Sequence, residues 1–292
     1  MSARPLPALV GLGRMGERGP MKDFGGRVAV VTGAASGIGQ ALAQRFAREG
    51  CNLALVDIDE AGLARTRALV EDEGRRASVH VVDVSDRARM QALPDEVVGE
   101  HGRVDVLVNN AGVAVAGTLE EQSLEDFEWI VGINFWGVVY GCKFFLPHLR
   151  GSDDAYIVNL SSLFGLVGIP GQSSYCATKF AVRGLSESIG AELHDTAVRV
   201  MSVHPGGVNT NIAKSGRYAD SYAKAHARVV KFFEKRTMPA ARCADIIVNG
   251  MKANATRMLV TPEAHLADAL TRIFPRLPRS WIGKASKKFL QM

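Results

Sequence analysis

The alternation of short β-branched runs with amphipathic helical patterns is the feature that most restricts the fold of this 292-residue chain. From residue 27 onward, apolar runs rich in Val, Ile and Leu are separated by segments with helical periodicity. Such continuous apolar runs are typical of parallel strands that helices cover on both faces. The sequence therefore predicts an α/β fold with a doubly wound, seven-stranded parallel sheet in three layers. The predicted strands are Val28–Thr32, Leu53–Asp57, Ser78–Val82, Val104–Asn109, Ala155–Leu160, Val198–His204 and Met258–Thr261.

The sequence divides the chain into an N-terminal extension, a main domain and an insertion within that domain. Residues 23–275 carry the strand and helix rhythm and are expected to form one domain. Residues 1–22 are expected to be a disordered or misassigned extension, with Met21 as the alternative start. A G-x-G-x-x-G match at residues 11–16 has no strong strand before it and a Gly-Pro pair behind it, so we set it aside. The segment from about residue 211 to residue 238 is longer than a strand-to-helix connection needs, which indicates a substrate-loop insertion.

The net charge of +5 is concentrated at the two ends of the chain. Residues 276–292 contribute +5 without an acidic residue and residues 1–22 contribute +3, so residues 23–275 carry −3. A mildly acidic body excludes a nucleic-acid-binding domain, which needs basic side chains gathered on one face. The basic C-terminal extension also contains Leu, Trp, Ile and Phe, and three interpretations stay open. It is a weak peripheral contact with an anionic membrane, a lid, or a helix packed against a neighbouring subunit, and the last is favoured.

The cysteine and histidine patterns favour an intracellular protein without a bound metal. The four cysteines form no C-x-x-C pair and the seven histidines form no H-E-x-x-H motif, so we expect neither a disulfide framework nor a zinc site. The apolar run from Trp129 to Phe145 is interrupted by Asn134 and Lys143 and is too short for a clean membrane span, so we expect a buried helix. No signal-peptide pattern is present, and the expected location is the cytoplasm.

The strongest local motif is T-G-x-x-x-G-x-G at residues 32–39, which lies directly between a predicted strand and a predicted helix. Its glycines let the backbone turn sharply and approach a pyrophosphate, whose charge the free N–H groups and the helix dipole then hold. The motif therefore predicts a dinucleotide site. Its cofactor-binding residues are Gly33, Ser36, Gly37, Ile38 and Gly39.

Asp57 ends the second predicted strand, where a carboxylate can accept hydrogen bonds from both ribose hydroxyls of an adenosine. It would repel a 2′-phosphate, and no basic residue follows it until Arg65. We therefore expect NAD as the cofactor, with NADP less favoured. The alternative is that Asp57 caps the next helix, although Asp59 can also serve as that cap.

Tyr175 and Lys179 are four residues apart at the start of a long helical pattern, so their side chains share one helix face. A tyrosine with a pKa near 10 needs about 4 kcal/mol to act as a base near neutral pH. An ammonium group about 4 Å away, at an effective dielectric constant of about 20, supplies roughly that amount. We therefore expect Lys179 to lower the pKa of Tyr175. An ordinary surface pair is the alternative for an isolated Y-x-x-x-K motif.

Two further polar residues, Ser162 and Asn134, stand out by their positions in the sequence. Ser162 lies thirteen residues before Tyr175, at the end of a strand, where doubly wound sheets bind their ligands. Asn134 is the lone amide in an apolar helical run and must find a hydrogen-bond partner. That partner is either a water chain that leads to Lys179 or the backbone of the core.

In their order and spacing these motifs resemble the short-chain dehydrogenase/reductase family, in its single-domain branch with a Rossmann-type fold. The likeness covers residues 24 to 262. It implies that Tyr175 is the acid/base, that Lys179 holds Tyr175 and the nicotinamide ribose, and that Asn134 belongs to a proton relay. It also implies that Ser162 polarises the substrate oxygen, a role for which the adjacent Ser161 competes. The further cofactor positions that it implies are Asp83, Val84, Asn110, Ala111, Gly112, Pro205, Gly206, Val208 and Thr210.

The expected function is hydride transfer between NAD(H) and a secondary alcohol or ketone, as an alcohol dehydrogenase or carbonyl reductase with a lipophilic substrate. The resemblance also implies a homodimer or homotetramer, with helices at about 134–149 and 174–194 at the interface. The alternative is a dinucleotide sensor or interaction protein that has lost its chemistry. All four catalytic positions are intact, and a sensor has no need of them.

Overall fold

The computed structural model describes residues 21, 23–222, 226, 227, 230, 231, 237–274, 276 and 283. Nearly all of the predicted N-terminal extension, most of the basic C-terminal extension and part of the predicted insertion lie outside the described residues.

A single sheet of seven parallel strands forms the centre of the fold, which confirms the predicted architecture. Each predicted strand is present with bounds within two residues of the prediction. The strands are β1 (Val28–Thr32), β2 (Asn52–Asp57), β3 (Ala77–Val81), β4 (Val106–Asn109), β5 (Ala155–Leu160), β6 (Val198–His204) and β7 (Arg257–Leu259). Their order across the sheet is β3-β2-β1-β4-β5-β6-β7. The direction of winding reverses between β1 and β4, and ligands of doubly wound sheets bind at the carboxyl ends of the strands beside such a reversal.

Two hydrophobic cores cover the two faces of this sheet. Successive residues of β1 alternate between them, because side chains of a strand point to opposite faces. The helices are α1 (Gly37–Arg48), α2 (Glu60–Asp72), α3 (Arg87–His101), α4 (Leu124–Val131), α5 (Gly137–Leu149), α6 (Ser173–Glu192), α7 (Ala240–Lys252) and α8 (Pro262–Ile273). Ala29 and Val31 belong to one core, which includes residues of α1, α2 and α7. Val28 and Val30 belong to the other core, which includes residues of α3, α5 and α6.

Helices α4 and α5 are joined without a break by a π-helical turn over Gly132–Trp136. Within the described part of the chain, the resulting helix Leu124–Leu149 is the one that is long and apolar enough, by length and composition alone, to cross a membrane. Its inner side packs in the fold, with Ile130, Val138 and Phe145 fully or almost fully buried, as expected for a helix of the core.

Two short parallel pairs, which the sequence did not predict, fasten the ends of the predicted insertion to the body. Arg217–Tyr218 pairs with Val115–Ala116, and Met238–Pro239 pairs with Val208–Asn209. Each pair contributes only two residues per strand, which is too short for an alternating pattern to be recognised. The pairing holds both ends of the segment near the carboxyl ends of the sheet strands.

Candidate active site

One cleft of about 880 Å³ at the carboxyl ends of the sheet strands collects nearly all of the predicted site residues. Ser162, Tyr175 and Lys179 line it together with the predicted cofactor residues. Two predicted residues do not line it. Gly39 is buried behind the glycine-rich turn, and Asn134 is fully buried in the helix above it.

The glycine-rich turn leaves no room for side chains at its first and last glycines. Gly33 has a φ of +66°, and a Cβ atom there would lie 2.7 Å from Nδ2 of Asn110 and 2.9 Å from Cα of Ala111. A Cβ atom at Gly39 would collide with the carbonyl group of Gly33. The turn therefore brings backbone to the cleft at the N-terminus of α1, where Ser36 makes no side-chain capping bond. The unpaired N–H groups of that helix end suit a pyrophosphate.

Asn110 and Thr32 join the ends of β4 and β1 at this turn. Nδ2 of Asn110 donates to the carbonyl oxygen of Thr32 at 2.8 Å, and the Thr32 hydroxyl accepts from the backbone N–H groups of Asn110 at 2.9 Å and Ala111 at 3.0 Å. The amide of Asn110 thus supports the sheet, while its backbone and those of Ala111 and Gly112 border the cleft.

Asp57 lies on the cleft wall at the end of β2. Its carboxylate accepts from the backbone N–H groups of Ala35 at 3.0 Å, Ile58 at 2.7 Å and Asp59 at 3.1 Å. The helix cap of α2 is Asp59, which accepts from the N–H of Gly62, so the alternative role of Asp57 as that cap is wrong. Among the described residues that line the cleft, Lys179 is the one basic side chain, so a 2′-phosphate beside Asp57 would meet a carboxylate without a cation.

Ser162, Tyr175 and Lys179 converge on one wall of the cleft. Nζ of Lys179 lies 5.6 Å from the ring centre of Tyr175 and donates to the carbonyl oxygen of Leu160 at 3.0 Å. The Ser162 side chain forms a hydrogen bond with Tyr175 that favours the tyrosinate. The hydroxyl of Ser161 donates to the carbonyl oxygen of Lys179 at 2.7 Å, so it anchors α6. Ser161 and Ser162 both line the cleft, and the role of Ser162 as the serine that faces a ligand remains a prediction.

Burial dominates the ionisation of the tyrosine and lysine. It raises the pKa of Tyr175 to about 12, against the opposing effect of the hydrogen bond from Ser162. It also lowers the pKa of Lys179 from 10.5 to about 8. The expected lowering of the Tyr175 pKa is therefore wrong for the protein without its dinucleotide, because desolvation disfavours both charged forms. Tyr175 keeps its proton at neutral pH and can donate it.

The Asn134 side chain binds the backbone of Val113 and also lies near the Lys179 side chain, across Gly112. It lies in the π-helical turn, where its Oδ1 accepts from the N–H of Val113 at 2.8 Å and its Nδ2 donates to the carbonyl oxygen of Val113 at 2.9 Å. This is the backbone-bonded alternative. Only Gly112 separates the two side chains, since a Cβ atom there would lie 3.2 Å from Oδ1 of Asn134 and 3.5 Å from Nζ of Lys179. A relay role for Asn134 remains a prediction.

Two residues that the sequence did not identify, Thr261 and Glu263, hold the Pro205-Gly206 segment against the cleft. Oγ1 of Thr261 accepts from the N–H of Gly206 at 3.1 Å, and Oε1 of Glu263 accepts from the N–H of Gly207 at 2.9 Å. Both belong to the Thr-Pro-Glu start of α8, a recognisable helix beginning whose contact partners lie more than 50 residues earlier.

Apolar and aromatic side chains form part of the cleft wall. Trp129 of α4 contributes to it, and the guanidinium of Arg217 lies 3.8 Å from the centre of the Trp129 ring. Arg217 also pairs with Asp126 at 2.6 Å, so it ties the segment after the 3₁₀ turn at Asn211–Ala213 to α4. The wall includes Ile133, Leu163, Phe164, Ile169, Ile212, Tyr218 and Tyr222.

A doubly wound sheet with a glycine-rich turn at its reversal point and a Tyr-Lys pair beside the same cleft defines a dinucleotide-binding oxidoreductase. The family model of the short chain dehydrogenases matches residues 27–219, and the chain belongs to the short-chain dehydrogenase/reductase family. It is 42% identical over 272 residues to SadH of Mycobacterium tuberculosis, a protein named as an oxidoreductase, which covers 90% of this chain and 98% of the relative.

Two further relatives extend this comparison. The chain is 41% identical to meso-2,3-butanediol dehydrogenase of Serratia marcescens over 65% of this chain and 74% of that enzyme. A short-chain dehydrogenase/reductase from Burkholderia phymatum, solved in complex with NAD, superposes with a TM-score of 0.83 at 32% identity over 88% of this chain and 96% of the other. A nicotinamide dinucleotide is the cofactor that this fold and turn accommodate.

Proposed function

We propose that this protein transfers a hydride between NAD(H) and a secondary alcohol or ketone, as an alcohol dehydrogenase or carbonyl reductase. The observation that carries the proposal is the convergence of Ser162, Tyr175 and Lys179 on a wall of the cleft into which the glycine-rich turn opens. The relative from Serratia bears the name of an enzyme for a secondary alcohol, which supports the same reaction class.

The proposed mechanism assigns one task to each side chain. NADH, when bound, supplies the hydride for carbonyl reduction. The Ser162 hydroxyl donates a hydrogen bond to the carbonyl oxygen and orients it, and Tyr175 gives its proton to that oxygen as negative charge develops. Lys179 stabilises the resulting tyrosinate by its positive charge. In alcohol oxidation the same groups act in reverse, and the tyrosinate accepts the hydroxyl proton.

The proposed cofactor is NAD in preference to NADP. Asp57 is held on the cleft wall by three backbone N–H groups, so it cannot easily turn away from a ribose. A 2′-phosphate at that place would bring two negative groups together without a neutralising side chain among the described residues that line the cleft.

The proposed substrate is a lipophilic alcohol or ketone. The side chains that line the cleft include many apolar and aromatic ones, among them Trp129 and Phe164. Burial of apolar surface is the main source of affinity for a ligand in such a cleft. A ketone can thus be held by its carbon skeleton while its oxygen meets the two hydroxyl groups.

Exposed apolar side chains outside the cleft support the predictions of a homo-oligomer and of a surface contact. Trp136 of the π-helical turn is 46% exposed and Phe180 of α6 is 41% exposed, which supports a homo-oligomer formed through α5 and α6. Leu266, Leu270 and Ile273 form an exposed apolar face on α8, directly before the basic extension. This face suits either the membrane contact or the subunit contact, and pelleting with anionic liposomes separates them. The cytoplasmic location remains a prediction.

The decisive experiment compares Tyr175→Phe with Tyr140→Phe. Tyr140 lies on α5, stacked between Trp136 and Phe144. We expect Tyr175→Phe to abolish NADH oxidation with a panel of ketones while NADH still binds, because only the proton donor is lost. Tyr140→Phe should keep its activity.

Turnover by Tyr175→Phe would remove this residue from the mechanism. A wild-type protein that binds NADH but reduces none of the carbonyl compounds and oxidises none of the corresponding alcohols would instead indicate the dinucleotide sensor.

A further inference from the structure

His204 is a fully buried polar residue at the end of β6 and belongs to none of the sequence motifs described above. It directly precedes Pro205, and the residue before it, Val203, pairs with Leu160 at the end of β5, two residues before Ser162. It therefore lies between the catalytic serine and the Pro205-Gly206 segment that borders the cofactor part of the cleft.

Both ring nitrogens of His204 have hydrogen-bond partners. Nδ1 lies 3.1 Å from the carbonyl oxygen of Ser162, and Nε2 lies 3.2 Å from the hydroxyl of Ser202. A carbonyl oxygen can only accept, so Nδ1 must carry the proton, and Nε2 is then the acceptor of the Ser202 hydroxyl. Burial lowers the pKa of His204 to about 4, so the ring is neutral with one defined tautomer.

The imidazole is one of two donors to the carbonyl oxygen of Ser162. The N–H of Ser161 donates to the carbonyl oxygen of Val203 at 2.8 Å, and the N–H of Leu163 donates to that of Pro205 at 2.7 Å. In the opposite direction, residue 205 gives no backbone hydrogen bond to the neighbouring segment, because proline lacks an N–H. The ring of His204 donates to this segment at the carbonyl oxygen of Ser162, which also accepts from the N–H of Gly165 at 2.9 Å.

We propose that His204 is a positioning residue for hydride transfer, which holds the backbone of Ser162 so that its hydroxyl stays beside Tyr175. The inference rests on the proposed function. A neutral ring bonded at both nitrogens cannot rotate without losing two buried hydrogen bonds, so it transmits the rigidity of β6 to the serine. His204 does not line the cleft and touches no substrate.

The kinetic test compares His204→Leu with His204→Asn. Leucine fills much of the space without a donor, whereas the amide nitrogen of asparagine can take the place of Nδ1. We expect His204→Leu to lower kcat by about tenfold to a hundredfold, the range typical of lost outer hydrogen bonds and of small misplacements at a reacting centre. Its Kd for NADH should change little, and His204→Asn should recover most of kcat.

An unchanged kcat in His204→Leu would overturn the inference. Equal loss in the leucine and asparagine variants would also overturn it, since the ring would then matter by its shape and not by its donor.

A measurement on the unmodified protein tests the tautomer without any turnover. Nitrogen-15 NMR of protein with labelled histidine, assigned with the His204→Asn spectrum, should show a neutral ring protonated at Nδ1 between pH 6 and 8. A proton on Nε2, or a charged ring at pH 6, would refute the positioning role even where ketone reduction is established. Absence of hydride transfer in the wild-type protein would refute the proposed function instead, whatever the tautomer.

Discussion

Replacement of Lys179 should make this protein more stable while it removes activity. The Lys179 side chain is almost completely buried, and its ammonium group donates to the carbonyl oxygen of Leu160 at 3.0 Å. Desolvation alone accounts for the lowering of its pKa from 10.5 to about 8. The native state therefore carries a buried charge at neutral pH that the unfolded chain holds in water.

The size of the effect follows from the two pKa values. Their difference of about 2.5, at about 1.4 kcal/mol per pH unit, corresponds to about 3 kcal/mol of destabilisation. This destabilisation applies in full below pH 8, where Lys179 is protonated in both the folded and the unfolded state. The destabilisation declines between pH 8 and 10.5, where only the unfolded state binds the proton, so the stability of the protein rises with pH in that range. Lys179→Met loses the hydrogen bond to Leu160, worth about 1 kcal/mol, so a net gain of about 2 kcal/mol is expected at pH 7.

Urea unfolding of the ligand-free protein at pH 7 and at pH 10 measures this difference. The variant should be more stable than the wild type at pH 7, with most of the advantage gone at pH 10, and its ketone reduction should be lost. Lys143→Met, which removes an exposed lysine of α5, is the control and should change the free energy of unfolding little at either pH. A Lys179→Met protein that is less stable at pH 7, or a difference that does not depend on pH, would refute the reasoning.

Two further variants test the proposed cofactor preference and the proposed substrate wall. Asp57→Ala combined with Ile58→Arg should raise the ratio of kcat/KM for NADPH over NADH by at least about tenfold, because a guanidinium replaces a carboxylate beside the 2′-phosphate. An unchanged ratio would show that Asp57 lies away from the ribose. Arg217→Ala should raise KM for a bulky ketone more than for a small one, because the variant loses the contacts with Trp129 and Asp126. Equal effects on both ketones would place Arg217 outside the substrate wall.

The sheet was predictable because its interior imposes one pattern along each strand. Alternate residues of Val28–Thr32 enter two different cores, so the whole run must be apolar, and the periodicity is readable without any knowledge of its neighbours. The glycine-rich turn was predictable for a similar reason. The close approach of Gly33 to Asn110 excludes a side chain, and that exclusion is visible as a glycine in the sequence.

Contacts between distant segments explain what the sequence did not reveal. The Val113 backbone as partner of Asn134 and the Ser162 carbonyl as partner of His204 depend on segments 21 and 42 residues away. The sequence shows that Asn134 and His204 are polar and need hydrogen-bond partners. It does not specify the partners, because many different groups can form such a bond. The spacing between Tyr175 and Lys179 predicts a nearby positive charge and hence a lowered Tyr175 pKa. The spacing says nothing about the water that packing excludes from both groups, and this desolvation raises the Tyr175 pKa instead.

The sequence by itself determined the strand and helix order, the turn at the carboxyl end of β1 and the shared helix face of Tyr175 and Lys179. These depend on patterns within one segment, where backbone geometry links spacing directly to position. Only the tertiary structure decided which backbone holds Asn134 and His204, and in which direction burial moves the pKa values of Tyr175 and Lys179. Those outcomes depend on atoms brought together from separate strands and on the solvent that their packing displaces.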